Sequence, residues 1–397
     1  MSLLHERLNS PISTAELQRR WAAVRASMSE AKVDALLLQN SNDFLGGYVK
    51  WFTDLPATTG YPTTIIFPRD GAMTVVSQGT FGLDRKISPA GEQQYRGVER
   101  LIGAPGYASA RYTTHYEAEA VEKALTPFAH STIGLVGASH TAILLDHLRK
   151  ALPRASFDDA TDLVDAIKAV KSDEEVTFIQ RTASMQDKCM EAVAEAIRPG
   201  MRDIDVGAVA ERVGRHYGSE QGIFLCASGP AGTAAVYGIR HFQNRIIQKG
   251  DVFNILIENN GPGGMYTELG RTFVIGRAST EMKDDFAVVR EAQHLTAEML
   301  AKGNSPRDIW EAYNSFMRKH SRPEESRLYC HGQGYDLVER PLVRFDESLP
   351  IGPTMNFACH PTTVTATNFA SCCDNFLISP KDISRLHNYP QEIIEIT

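Results

Sequence analysis

Residues 250–273 read GDVFNILIENNGPGGMYTELGRTF, and this stretch decides the fold. A β-rich apolar run, Val252 to Glu258, ends on a carboxylate, and Gly261, Pro262, Gly263 and Gly264 interrupt the chain before a second β-like run, Arg271 to Ile275. Clusters of Gly and Pro between apolar runs are turn signals, so the stretch predicts two strands joined by a Gly-rich loop. Glu258 and Glu268 then stand at neighbouring strand edges. Downstream, Thr354 to Ala358 and Asp374 to Ile378 read as further strands, with helices over Glu281 to Ala301 and Pro306 to Lys319 between. Upstream, a helix spans Asp203 to Tyr217, and Ser172 with Glu175 forms a capping box opening a long helix that ends at Pro199-Gly200. Helices segregated from a curved antiparallel sheet predict an α+β domain over 166–397.

The remaining 1–165 has another texture. Ser13 and Glu16 cap a helix to about Ala31, Asp34 to Gln39 reads as a buried strand, and Thr63 to Gln78 is a hairpin around Pro68-Arg69-Asp70-Gly71. A strand at Ile133 to Val136 and a helix near His140 to Leu152 complete an α/β domain. Two domains suit 397 residues.

Hydrophobic residues make up 43% and charged residues 22%, which excludes a disordered or fibrous chain. The net charge of -7 lacks the basic excess that binds nucleic acid. No apolar stretch approaches the roughly 20 residues that cross a bilayer, and Glu6, Arg7 and Asn9 stand where a signal peptide needs its apolar run, so the expected compartment is the cytoplasm. The six cysteines contain no CxxC pair and read as reduced thiols.

P-loop, serine-elbow, HExxH and dinucleotide fingerprints are missing, so no cofactor is expected. Polar and Gly-rich segments instead cluster at predicted strand ends: Gly250-Asp251, Glu258 to Arg271, His331 to Pro341, His360-Pro361 and Cys373-Asp374. With Ile167 to Ser172, Ile197 to Gly200, Tyr266 to Phe273, His331-Gly332-Gln333-Gly334 and Glu339-Arg340-Pro341 in this order, nearly the whole chain resembles the creatinase/aminopeptidase P family, which includes prolidase and methionine aminopeptidase. The resemblance implies a pita-bread catalytic domain behind a creatinase-type N-terminal domain.

Peptidases of that family hold two metal ions with two aspartates, a histidine and two glutamates. Here the matching positions carry Glu258, Glu268, His331, His360 and Cys373. The loss of carboxylates implies a metal-free site like that of creatinase or the ectoine-hydrolase-like branch, opening a carbon–nitrogen bond of a small polar metabolite. A single zinc on Glu268, His331, His360 and Cys373 is the alternative site, a metal-dependent Xaa-Pro peptidase the alternative enzyme, and a non-catalytic binding protein the alternative of another class.

Under the metal-free expectation Glu258 is the nucleophile, Glu268 grips a cationic or amide nitrogen, and His331 and His360 move protons. His241 falls near a family histidine, with a spacing two residues shorter than in creatinase. Glu258 also reads as a solvated strand-end carboxylate, His241 as a structural histidine and Cys373 as a packed thiol. Arg271 and Glu339 are expected at the substrate or as each other's anchor. Trp51, Phe52 and Tyr61, in a loop around Pro56 and Gly60, match a region that closes over the partner's site in creatinase-like homodimers, or else form local core. His5, His130 and His320 read as surface residues.

Overall fold

The computed structural model describes residues 11–88 and 93–397; His5 and the Met1 to Ser10 start lie outside them. The chain forms two compact units, 11–168 and 169–397.

The first unit is built on strands β1 (Ala35–Asn40), β2 (Thr63–Pro68), β3 (Met73–Gln78), β4 (Asp84–Lys86), β5 (Val98–Ala104), β6 (Thr132–Val136) and β7 (Ser156–Asp159). They form one seven-stranded sheet in the order β4-β5-β3-β2-β1-β6-β7, with β1, β6 and β7 parallel and β2 antiparallel to both its neighbours. Helices α1 (Thr14–Ala31), α2 (Gly47–Thr53), α3 (His115–Leu125), α4 (Ala142–Ala151) and α5 (Thr161–Lys168) flank it. Ser13 caps α1 by accepting from the Glu16 N–H at 3.0 Å, as its spacing predicts.

Trp51 and Phe52 correct the expectation of an aromatic rim. They lie on α2, 1% and 0% exposed, with the Phe52 ring edge-on to Phe67 and the Trp21 indole donating to the Phe52 carbonyl. Side chains that large gain most from complete burial, and a short helix between β1 and β2 supplies it.

In the second unit, α6 (Asp173–Ala196) opens with the Ser172/Glu175 capping box and packs with α7 (Asp203–His216) on a four-stranded sheet. That sheet runs β18-β10-β9-β8, from β8 (Gly222–Pro230), β9 (Asp251–Asn260), β10 (Tyr266–Val274) and β18 (Ile394–Glu395). Helices α8 (Thr280–Ala301) and α9 (Pro306–Lys319) cover a five-stranded sheet ordered β12-β11-β13-β16-β17. Its members are β11 (Cys330–Gly332), β12 (Glu339–Leu342), β13 (Asn356–Cys359), β16 (Asp374–Ile378) and β17 (Ile383–Arg385), with β14 (Thr362–Val364) and β15 (Phe369–Ser371) forming a separate pair. A backbone bridge between Gly270 and Cys373 joins β10 to the residue just before β16.

The β9–β10 turn explains its glycines. Gly263 and Gly264 take φ of 89° and 87°, where side chains are strained, and a Cβ on Gly261 would lie 2.3 Å from the Thr182 hydroxyl. Alternation then assigns the faces: Phe253, Ile255 and Ile257 enter the core beneath α6, so Asn254, Leu256 and Glu258 point the other way.

Candidate active site

Register places Glu258 opposite Glu268 across β9 and β10, within the strands and not at their edges. On the second sheet His331 pairs with Ala358, and Ala358 with Asn375. With a two-residue period, His331, Gln333, Ala358, His360, Cys373 and Asn375 share one face.

Glu268 is the centre of this arrangement. His331 Nε2 lies 3.5 Å from its Oε1, His360 Nε2 lies 4.0 Å from its Oε2, and the Cys373 thiol donates to Oε2 at 3.4 Å. The donor atoms of Glu268, His331 and His360 all lie within 4.8 Å of one another. His331 Nδ1 is 2.9 Å from the Gly332 carbonyl, which only accepts, so Nδ1 carries the proton. In the neutral ring Nε2 then turns a lone pair toward Glu268, and two acceptors face each other unless a positive charge joins them.

The carboxylates differ in ionisation. Burial and the Glu268 charge push Glu258 well above the usual carboxylate range. Burial opposes ionisation of Glu268 as well, but the His331 hydrogen bond and the charges of His360 and His331 outweigh it and hold Glu268 below that range. The pair therefore shares one proton, which sits on Glu258. Burial lowers the pKa of His360, opposed by the Glu268 charge, and burial raises that of Cys373, which keeps its proton.

Two supporting residues lacked a role in the sequence reading. Asn375 Oδ1 accepts the Glu268 backbone N–H at 2.7 Å, and its amide donates to Gln333 Oε1 at 2.9 Å, which directs Gln333 Nε2 to Glu268 Oε1 at 3.3 Å. The signal for Gln333 was its place two residues after His331; Asn375 resembled any other residue of an apolar strand. His387 accepts the Asn375 backbone N–H on Nδ1 at 3.2 Å and so donates from Nε2 to Gln186 Oε1 at 2.9 Å. Burial pushes its pKa down to about 3, a neutral structural imidazole.

Several other expectations change. Arg271 is fully buried, paired with Asp374 at 2.8 Å, and its remaining donors reach the carbonyls of Gly270, Cys373, Tyr389 and Pro390, so none is left for a substrate. Glu339 pairs with neither Arg271 nor the cluster; its carboxylate meets buried Lys171 at 2.7 Å and accepts from the Asp336 N–H. His241 is exposed on a single helical turn, Arg240–Phe242, and is not a member of the Glu268 donor group. Tyr61 lines a cavity inside the first unit. Cys373 also stands outside the donor group, so the four-ligand zinc alternative contracts to Glu268, His331 and His360.

The model of metallopeptidase family M24 matches residues 177–380. The probable dipeptidase PepE of Mycobacterium tuberculosis is 23% identical over 384 residues, covering 95% of this chain and 96% of that protein. The Xaa-Pro dipeptidase of Pyrococcus horikoshii is 24% identical over 213 residues, 52% of this chain and 58% of that protein. The crystal structure of an X-Pro aminopeptidase from Thermotoga maritima superposes with a TM-score of 0.77 at 17% identity, covering 94% of this chain and 99% of that one. These names overturn the expectation of a metal-independent hydrolase of non-peptide carbon–nitrogen bonds, because the relatives are peptidases by name and ligand-type side chains converge where a metal-free site was expected. The fold is the pita-bread arrangement, and since the matched segment carries Glu258, Glu268, His331, His360 and Cys373 and spans more than half of the chain, the chain belongs to metallopeptidase family M24.

Proposed function

We propose that this protein is a metal-dependent dipeptidase of the prolidase type, cleaving the peptide bond of short substrates such as Xaa-Pro dipeptides. The observation that carries the reading is the convergence of Glu268, His331 and His360 donor atoms within 4.8 Å. Two imidazoles and one carboxylate with an open position are a ligand set of catalytic zinc sites, so the residues fit one zinc-like ion better than a carboxylate-bridged pair. When bound, such an ion supplies Lewis acidity toward the peptide carbonyl and a more acidic water.

The chain's own groups do the rest. The Gly332 carbonyl holds His331 with Nε2 facing inward. Gln333 and Asn375 fix Glu268 through its Oε1 and its backbone N–H. Glu258, facing Glu268 across β9 and β10, would take a proton from the attacking water and hand it to the leaving amine nitrogen as the carbon–nitrogen bond breaks. Six free, buried thiols suit a reducing compartment, in keeping with a cytoplasmic setting. Among the described residues no helix is long and apolar enough to cross a membrane. A homodimer is part of the proposal and is checked by light scattering.

The test is hydrolysis of Ala-Pro, Leu-Pro and Ala-Ala by protein stripped with chelator and reloaded with zinc or manganese, alongside metal analysis. Amino-acid release that chelator abolishes and metal restores is expected, with about one ion retained per chain. Release of no amino acid under any loading, with no more metal retained than by His331→Ala, would leave a binding protein on the same scaffold.

A further inference from the structure

The first unit has a cavity of its own, about 240 Å³, with walls that include Tyr61, Tyr107, Gln78, Ala104, Thr141 and Glu117. Its place follows from the topology. Gln78 ends β3, Ala104 ends β5, and Thr141 caps α4 after β6. Strands β1, β3, β5 and β6 run the same way, so these ends share the carboxyl edge of the sheet. From β1 the chain goes to β2 and β3 on one side, and later to β6 and β7 on the other. Open sheets bind ligands in the crevice at such a reversal, outside the carboxyl ends of the strands.

The polar side of the cavity is oriented in advance. The Thr141 N–H donates to Gln39 Oε1 at 2.9 Å, which turns the Gln39 amide nitrogen onto Glu117 Oε1 at 2.6 Å. The Thr64 hydroxyl donates to the same oxygen at 3.0 Å. Both hydrogen bonds fall on Oε1, and Oε2 has no partner among the described residues. Across the opening, the Tyr61 and Tyr107 rings meet edge to face with centroids 6.2 Å apart. Burial raises the Glu117 pKa, a cost that a cationic guest relieves.

We infer that this cavity is a second binding site, separate from the Glu268 cluster, for a compact organic cation of the alkylammonium or guanidinium class. Its N–H donors meet Glu117 Oε2 in charge-assisted hydrogen bonds, and its apolar stem lies against Tyr61 and Tyr107. The mostly apolar walls with one oriented carboxylate match small-molecule sites in general.

Titration calorimetry of the full chain with ethylguanidinium, and with neutral ethylurea of the same shape, tests this. Saturable binding of ethylguanidinium is expected, with ethylurea at least about tenfold weaker, a difference of roughly 1.4 kcal/mol. Glu117→Gln should lose about tenfold or more in affinity for the cation, and Tyr107→Ala, at an exposed residue that tolerates truncation, about threefold or more. Dipeptide hydrolysis should be unchanged in both variants. The inference is overturned if ethylguanidinium shows no binding at about 10 mM, if ethylurea binds equally well, or if both variants bind the cation as wild type does.

Discussion

Strands β9 and β10 turn two unlike faces to the protein, and both are buried. One carries Phe253, Ile255, Ile257, Leu269 and Phe273, packed against Met185, Cys189 and Val193 of α6 and Val206 of α7. The other carries Asn254, Glu258, Glu268 and Thr272, none more than 9% exposed. The first face contributes stability, roughly 1.5–3 kcal/mol for each large apolar side chain. The second spends it, because a buried polar atom is tolerated only with a partner: Thr272 donates to Asn254 at 2.6 Å, Asn254 donates to the Ala235 carbonyl at 2.9 Å, and Glu268 has Gln333, His331 and Cys373. One backbone thus separates holding the fold from doing chemistry by a single residue of offset.

The largest effect that would sharpen this division is on turnover. Glu268→Gln keeps size and removes the charge at the centre of the cluster, so dipeptide hydrolysis should fall on the order of 10⁴-fold, about 5 kcal/mol of barrier, while the melting temperature moves by only a few degrees. A stability loss as large as that of a core truncation would break the comparison. Phe253→Ala on the opposite face should cost about 3–5 kcal/mol in urea unfolding, with turnover per folded molecule retained.

His387 links the faces, because it joins Gln186 of α6 to Asn375 behind Glu268. Its folded-state pKa of about 3 lies below the ordinary 6.5, so between these values the unfolded chain binds the extra proton. The stabilisation is complete above pH 6.5 and disappears as pH falls toward 3, on the order of a few kcal/mol; urea titrations of wild type and His387→Asn at stepped pH should show a shallower acid limb in the variant. Asn375→Ala, which frees the Glu268 backbone and Gln333, should lower kcat about 10- to 100-fold with little change in KM. Smallest of all, Cys373→Ser should change turnover by no more than about threefold, since the thiol is protonated and only donates a hydrogen bond.

Legibility followed the same division. Alternation and caps are local, so Asp374–Ile378 and Pro306–Lys319 occupy the stretches their composition predicts, and the four residues Glu258, Glu268, His331 and His360 stood out as carboxylates and imidazoles near β-like runs. Strand β8 escaped notice because Gly222, Ser228, Gly229 and Pro230 read as loop, and only pairing with β9 makes them a strand. Arg271 does anchor a carboxylate, one of its two readings, but that carboxylate is Asp374 and not Glu339, which pairs with Lys171; both partners lie far away in the chain. Trp51 and Phe52 looked like a loop rim because Pro56 and Gly60 follow closely, whereas the chain turns out of α2 at Asp54 with a left-handed φ of 61°. His241 keeps its place in the order of residues but lies exposed on a single helical turn, outside the Glu268 donor group.

The Gly270–Cys373 bridge has a consequence for biosynthesis. The carboxylates belong to the earlier sheet, the imidazoles to the later one, and the backbone stitch between the sheets waits for residue 373 to leave the ribosome. A polypeptide that stops short of residue 373 therefore lacks this stitch between the sheet of its carboxylates and the sheet of its imidazoles, and the cluster is fastened only once almost all of the second unit has been made.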